Sequence, residues 1–262
     1  MSEPERRVVV IGGTSGIGHA IAARFAASGA HVIATGASLT ETAAAHAAGG
    51  HGALSFEVLD VRDAAAVEAF FARLDALDVL VNCAGVIRRG AEHDPAVFAE
   101  VIDINLNGSM RTCAAARTLL AQTRGCIVNT ASMLTFFGGG LVPAYSASKG
   151  GIGQLTKSLA IAYAVDGIRV NAVAPGWIAS SGLDHYPPQM REHIRALPGK
   201  VPLHRLGTES EISAAIVSLL SPAAAFITGS CIRIDGGVPN VKPNYTLPPR
   251  GTLTRCVPIA KP

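Results

Sequence analysis

Cysteine is scarce and unpatterned in this chain. Cys83, Cys113, Cys126, Cys231 and Cys256 are odd in number, widely spread and never in CxxC or CxH spacing, which argues against a disulfide framework or a zinc site. The histidines form no HExxH pair, so no catalytic metal is expected. Long hydrophobic runs are missing at the start: MSEPERRVVVIGG carries acids and then a short apolar stretch broken by glycines. That pattern fits neither a signal peptide nor a membrane span, and the expected location is cytoplasmic. Charge is thin, at 16% of residues against 49% hydrophobic, which excludes a disordered chain and supplies a sizeable core. Of the formal net charge of +3, four positive charges (Lys242, Arg250, Arg255 and Lys261) follow the last acid, Asp235, so the remainder carries a net −1. Four cations scattered along a tail make a poor nucleic-acid footprint.

What is present is alternation. RVVVI (7–11), HVIAT (31–35), ALSFEVL (53–59), LDVLVN (77–82), CIVNTA (126–131), IRVNAVA (168–174) and CIRID (231–235) read as seven strands buried on both faces. Ala-rich helical stretches lie between them, at 17–28, 64–74, 96–121, 146–165 and 209–220. The pattern predicts an α/β fold, a doubly wound parallel sheet with helices on both faces in three layers, as one domain over residues 1–238. Residues 176–207 break the rhythm with Pro, Gly, Trp and Tyr and read as a lid. Residues 239–262 form a Pro-rich basic tail, an extended arm expected to reach a neighbouring subunit.

The stretch VVVIGGTSGIGHAIAARFA places Gly12, Gly16 and Gly18, with Thr14, Ser15 and Ile17 between and beside them, after the first strand and before the first helix. Glycines there let the backbone approach a pyrophosphate, and the helix start offers free N–H groups and a positive dipole end. A dinucleotide site is the reading. Its ribose end, at HVIATGAS, has neither Asp nor Arg around Gly36 and Ala37. Without a cation for a ribose phosphate, NAD is preferred over NADP, with Thr35 and Ser38 able to bond either ribose form.

PAYSASKGG (143–151) sets Tyr145 and Lys149 four positions apart, one helical turn, which brings a phenol and an ammonium to one face. A cation about 5 Å from a phenolate, at an effective dielectric near 20, is worth roughly 3 kcal/mol. That equals about two pKa units, enough to pull the phenol toward physiological pH.

Together these motifs resemble the short-chain dehydrogenase/reductase family, from about residue 6 to residue 238. Asp60-Val61 matches the pair that holds the adenine. NCAG (82–85) stands for the usual NNAG, with Asn82, Ala84 and Gly85 kept and Cys83 replacing the second Asn. NLNG carries Asn105, NTAS ends in Ser132 thirteen residues before Tyr145, and PGWIAS supplies Pro175, Gly176, Ile178 and Ser180 beside the nicotinamide. Ile11 departs from the family's usual Thr. The resemblance implies a Rossmann-type fold and an NAD(P)-dependent oxidoreductase interconverting a secondary alcohol and a ketone. It implies that Tyr145 passes the proton, Lys149 lowers the phenol's pKa and holds the nicotinamide ribose, Ser132 bonds the reacting oxygen and Asn105 fixes a water. It also implies a homotetramer acting on a small molecule, with no nucleic acid or membrane partner.

The closer likeness of VNCAGVIRRG and ASMLTFFGGGLVPAYSASKGGI is to gluconate-type sugar-acid dehydrogenases, so a sugar acid or similar polyol is the expected substrate. Arg88 and Arg89 either grip its carboxylate or form a solvated surface pair. Met133, Phe137, Trp177, His185 and Tyr186 are candidate pocket residues or packing. A 3-oxoacyl-carrier-protein reductase and a non-catalytic dinucleotide-binding sensor stand as the alternatives.

Overall fold

The computed structural model describes residues 6–47, 49, 53–179 and 196–238. Its seven-stranded sheet is parallel throughout, in the order β3-β2-β1-β4-β5-β6-β9. The strands are β1 (Arg7–Ile11), β2 (His31–Gly36), β3 (Leu54–Val58), β4 (Val79–Asn82), β5 (Cys126–Thr130), β6 (Arg169–Pro175) and β9 (Cys231–Ile234). Period-two alternation divides the central strands between two cores. In β1, Val8 and Val10 pack toward α1 (Gly16–Ala27), α2 (Leu39–Ala47) and α7 (Glu209–Leu219), whereas Val9 and Ile11 pack toward the opposite layer. That layer is built from α3 (Ala64–Ala72), α5 (Gly108–Thr123) and α6 (Pro143–Ala162). The result is the three-layer Rossmann-type fold expected from the alternation.

The strand order reverses at β1, which pairs with β2 on one side and β4 on the other. Connections leave the sheet in opposite directions there, so a crevice opens at the carboxyl ends of these strands. The helix starts are chemically marked. Asp63 and Asp94 accept main-chain N–H bonds at the starts of α3 and α4 (Pro95–Ile102), and Thr208 and Glu211 form a reciprocal capping box on α7.

Three details differ from the sequence reading. The helix expected over 96–121 is interrupted: α4 gives way to a π-helical stretch, Asp103–Asn107, before α5. Side chains take up carbonyls in and just after the wider turn. Ser109 Oγ donates to Asn105 O at 2.9 Å, and Thr112 Oγ1 lies 2.9 Å from Ser109 O. Helix α2 was not foreseen, because its polar, Ala-rich run lacks a clear apolar stripe. A second small sheet pairs β7 (Ile178–Ala179) with β8 (Gly207–Thr208). Residues 180–195 of the expected lid and the tail from 239 onward, with Ser180, His185, Tyr186 and Cys256, lie outside the described residues. Among the described residues, no helix is long and apolar enough to cross a membrane.

Candidate active site

A cleft of about 570 Å³ lies along the carboxyl ends of β1, β2 and β4. Gly12, Thr14, Ser15, Ile17 and Gly18 line its floor, Gly36, Asp60 and Val61 one end, and Ala84, Gly85, Tyr145 and Lys149 the other. Gly12 has φ of +74°, and a Cβ there would lie 2.5 Å from Ala84 N; a Cβ on Gly18 would collide with the Gly12 carbonyl. Both positions therefore require glycine, and the close turn aims the N-terminus of α1 into the cleft. An elongated cradle with a helix start at its floor fits a dinucleotide. Gly16, with φ of +55°, opens α1 and completes the turn.

At the far end of the cleft, Ser132 and Tyr145 face each other across the start of α6. Ser132 is 7% exposed and begins a short turn, where its Oγ accepts from Leu134 N at 3.2 Å. That bond fixes the oxygen and leaves the hydroxyl proton available to the Tyr145 phenol, whose ionisation Ser132 favours. Thr135 ties the same turn to the helix, donating to Lys149 O at 2.8 Å. Pro143 sits in the first turn of α6 with its backbone preset, and the helix carries Tyr145 and Lys149 one turn apart.

Lys149 is 4% exposed; its Nζ donates to Thr130 O at 2.7 Å and lies 5.5 Å from the Tyr145 ring centroid. Burial pushes its pKa down to about 8. The phenol moves opposite to the sequence expectation. Burial raises the Tyr145 pKa, partly offset by the Ser132 hydrogen bond. The cause is desolvation of the phenol, which the four-residue spacing alone does not reveal.

Asn105, fully buried in the π-helical stretch, braces this end. Its Oδ1 accepts from Val86 N at 2.8 Å, and its Nδ2 donates to Val86 O at 3.0 Å and Ser148 Oγ at 3.1 Å. Ser148 Oγ donates in turn to Tyr145 O at 2.7 Å. The geometry thus brings Asn105, Ser132, Tyr145 and Lys149 together.

Other expected residues sit elsewhere. Asn82 lies beneath the cleft, donating to Asn129 Oδ1 at 2.9 Å and accepting from Thr112 Oγ1 at 2.7 Å, so its amide joins β4, β5 and α5. Arg88 pairs with Glu100 at 3.3 Å and lines the dinucleotide cleft beside Asp60 and Arg62. Arg89 is exposed. Pro175, Gly176 and Ile178 continue from β6 into the small sheet, where Gly176 N donates to Ile234 O at 3.0 Å. Met133 is buried behind Ser132, and Trp177 lines a neighbouring cleft with Arg233 and Asp235. Cys83 lines the dinucleotide cleft with its thiol pKa raised by burial.

The sequence reading missed Glu41, Glu92, Thr135 and Ser148. Glu41 had a signal, the Ser38-x-x-Glu41 pattern of a capping box. Glu92 and Ser148 act only through contacts that folding creates.

A family model described as "Enoyl-(Acyl carrier protein) reductase" matches residues 12–239. The 2-dehydro-3-deoxy-D-gluconate 5-dehydrogenase of Pseudoalteromonas atlantica is 36% identical over 240 residues, 87% of this chain and 94% of that protein. The chain belongs to the short-chain dehydrogenase/reductase family. Another of its members, the cis-4-hydroxycyclohexanecarboxylate dehydrogenase of Sinomonas cyclohexanicum, is 39% identical over 246 residues, 89% of this chain and 96% of that one. The ligand-free aldohexose dehydrogenase of Thermoplasma acidophilum superposes with a TM-score of 0.82 at 29% identity, covering 92% of this chain and 97% of that one. As a short-chain dehydrogenase/reductase the protein is an oxidoreductase that uses NAD(P).

Proposed function

We propose that this enzyme interconverts a secondary alcohol and a ketone on a sugar acid or similar polyol, with NAD as the preferred cofactor. The observation that carries the reaction is the Tyr145 phenol beside Ser132, backed by the buried Lys149, at the end of a glycine-floored cleft. Bound there, NAD(P) supplies the hydride acceptor or donor. The chain's own residues handle the proton. In reduction the protonated Tyr145 hydroxyl gives its proton to the carbonyl oxygen and becomes the phenolate, and in oxidation the phenolate takes the proton from the substrate hydroxyl. The Ser132 hydroxyl, fixed by Leu134 N, bonds that oxygen where charge develops. Lys149 holds the nicotinamide ribose, and Asn105 keeps the loop after β4 against α6.

The NAD preference rests on Glu41. Its Oε2 accepts from Ala37 N at 2.9 Å and lies 3.0 Å from where a Cβ on Gly36 would be, at the ribose end of the cleft. A ribose phosphate there would meet a carboxylate where an NADP enzyme presents a cation. The substrate class rests on the sugar-acid and polyol dehydrogenases among the relatives. A homotetramer is part of this reading, supported by exposed apolar side chains on the two long helices, Met110 on α5 and Ile161 on α6.

The test is a binding titration of the purified protein with NADH and NADPH, followed by a panel of sugar acids, polyols and ketoacyl thioesters. Preference for NADH with turnover of a sugar acid or polyol is expected. Preference for NADPH with thioester turnover overturns the substrate and cofactor assignment, and tight binding without turnover of any compound overturns the catalytic one.

A further inference from the structure

Glu92 is a carboxyl with 1% exposure, in the short turn Ala91–His93. Its two oxygens serve two separate main-chain amides: Oε1 accepts from Arg88 N at 2.8 Å and Oε2 from Tyr145 N at 2.8 Å. Tyr145 is the third residue of α6, where N–H groups have no partner inside the helix. Glu92 supplies one from another element. The carbonyl of the same tyrosine is held by Ser148 Oγ, itself bonded to Asn105. The loop after β4 is gripped by the same two side chains, Asn105 on Val86 and Glu92 on Arg88. Tyr145 is thus clamped by its main chain on both sides and locked to the loop that lines the cleft.

A helix start needs only an acceptor, and a neutral Ser or Asn provides one without burying a charge. A buried carboxyl held on the main-chain amide of the proton-carrying tyrosine does more. We propose that Glu92 is a positioning residue for proton transfer, which sets the Tyr145 hydroxyl against Ser132 and Lys149 and holds it in the protonated form. The inference rests on the reading of Tyr145 as proton carrier. Titratable groups on the elements packed against Tyr145 are Lys149 on its own helix, Cys83 after β4, Glu92 and His93 in the 91–93 turn, and Glu100 and Asp103 on α4 and the π-helical stretch. Glu100 pairs with Arg88, Asp103 with Arg111, and His93 Nε2 meets Gly140 O. Lys149 and Glu92 remain as opposed charges about the phenol, and Glu92 and Cys83 both oppose its ionisation.

The test is a phenolate absorbance titration of the cofactor-free protein, with the same titration of Tyr145→Phe subtracted to isolate one of four tyrosines. In Glu92→Gln the midpoint of the difference curve is expected to fall by about one pH unit, because a negative charge beside the phenol is gone. In Glu92→Asp, which keeps the charge but is too short to span both amides, the midpoint stays and turnover of the substrate found in the panel falls about tenfold, with NADH affinity kept. An unchanged midpoint in Glu92→Gln, with only a lower melting temperature, overturns the proposal. If Glu92→Gln does not fold, unchanged turnover in Glu92→Asp overturns it instead. Retained turnover in Tyr145→Phe would break the reading of the reaction itself, a result separate from these midpoints.

Discussion

Lys149 Nζ donates to the carbonyl of Thr130 at 2.7 Å while lying 5.5 Å from the Tyr145 ring centroid. The ammonium is thus anchored to the end of β5, beside the phenol and at the mouth of the cofactor cleft. A buried cation tied to the sheet is a fixed element of the site, and its surroundings hold its pKa at about 8.

That depression has a consequence for stability. The folded pKa lies below the unfolded value of 10.5, so the buried charge destabilises the native state most fully below about pH 8. The penalty fades as pH rises from about 8 toward 10.5. Lys149→Met is expected to be more stable at pH 7 by on the order of 1–3 kcal/mol, an advantage that shrinks over this window, and to lose turnover. Denaturant melts at pH 7 and pH 9.5 check it; a variant less stable than wild type at pH 7 would contradict the account.

Tyr145→Phe removes one oxygen from the site and leaves the helix and cleft intact. Turnover is expected to fall by about 10² to 10⁴, while NADH affinity stays within about threefold. Equal loss of both, read by fluorescence titration and steady-state rates, would assign Tyr145 to cofactor binding.

Glu41 offers a switch at the other end of the cleft. Glu41→Arg replaces a carboxylate with a cation where a ribose phosphate would lie, and the NADPH to NADH affinity ratio is expected to rise by about tenfold or more. Glu41→Gln should give a smaller rise of the same sign. A ratio unchanged in both variants would show that this carboxylate serves α2 alone.

Asn82 separates a core role from a cofactor role. With its bonds to Asn129 Oδ1 and Thr112 Oγ1 lost from the core, Asn82→Ala is expected to lose about 2–4 kcal/mol of stability. NADH affinity in the folded variant should change little. A large loss of affinity at unaltered stability would restore Asn82 to the cofactor site.

The alternation of valine-rich strands with Ala-rich helices is a short-range pattern, and it was enough to specify a three-layer parallel sheet. The glycine loop was legible for the same reason, since Gly12 and Gly18 answer a local steric demand that no other residue meets. Tyr145 and Lys149 could be placed on one face from helical spacing, and Ser132 and Asn105 from the family motifs. The break in the helix near Asn105 was not legible, because a π turn depends on side chains such as Ser109 and Thr112 finding carbonyls after folding.

The chain's local chemistry therefore determined the fold, the glycine-floored cleft and the placing of Tyr145 and Lys149 on one helical face. Tertiary structure decided how those groups behave. Burial sets the direction of the Tyr145 shift; Glu100 pairs with Arg88 from the neighbouring helix; and Glu92 reaches Tyr145 across 53 positions of sequence. Each depends on which surfaces pack together and exclude water, and desolvation and long-range pairing leave no periodic trace in the order of residues.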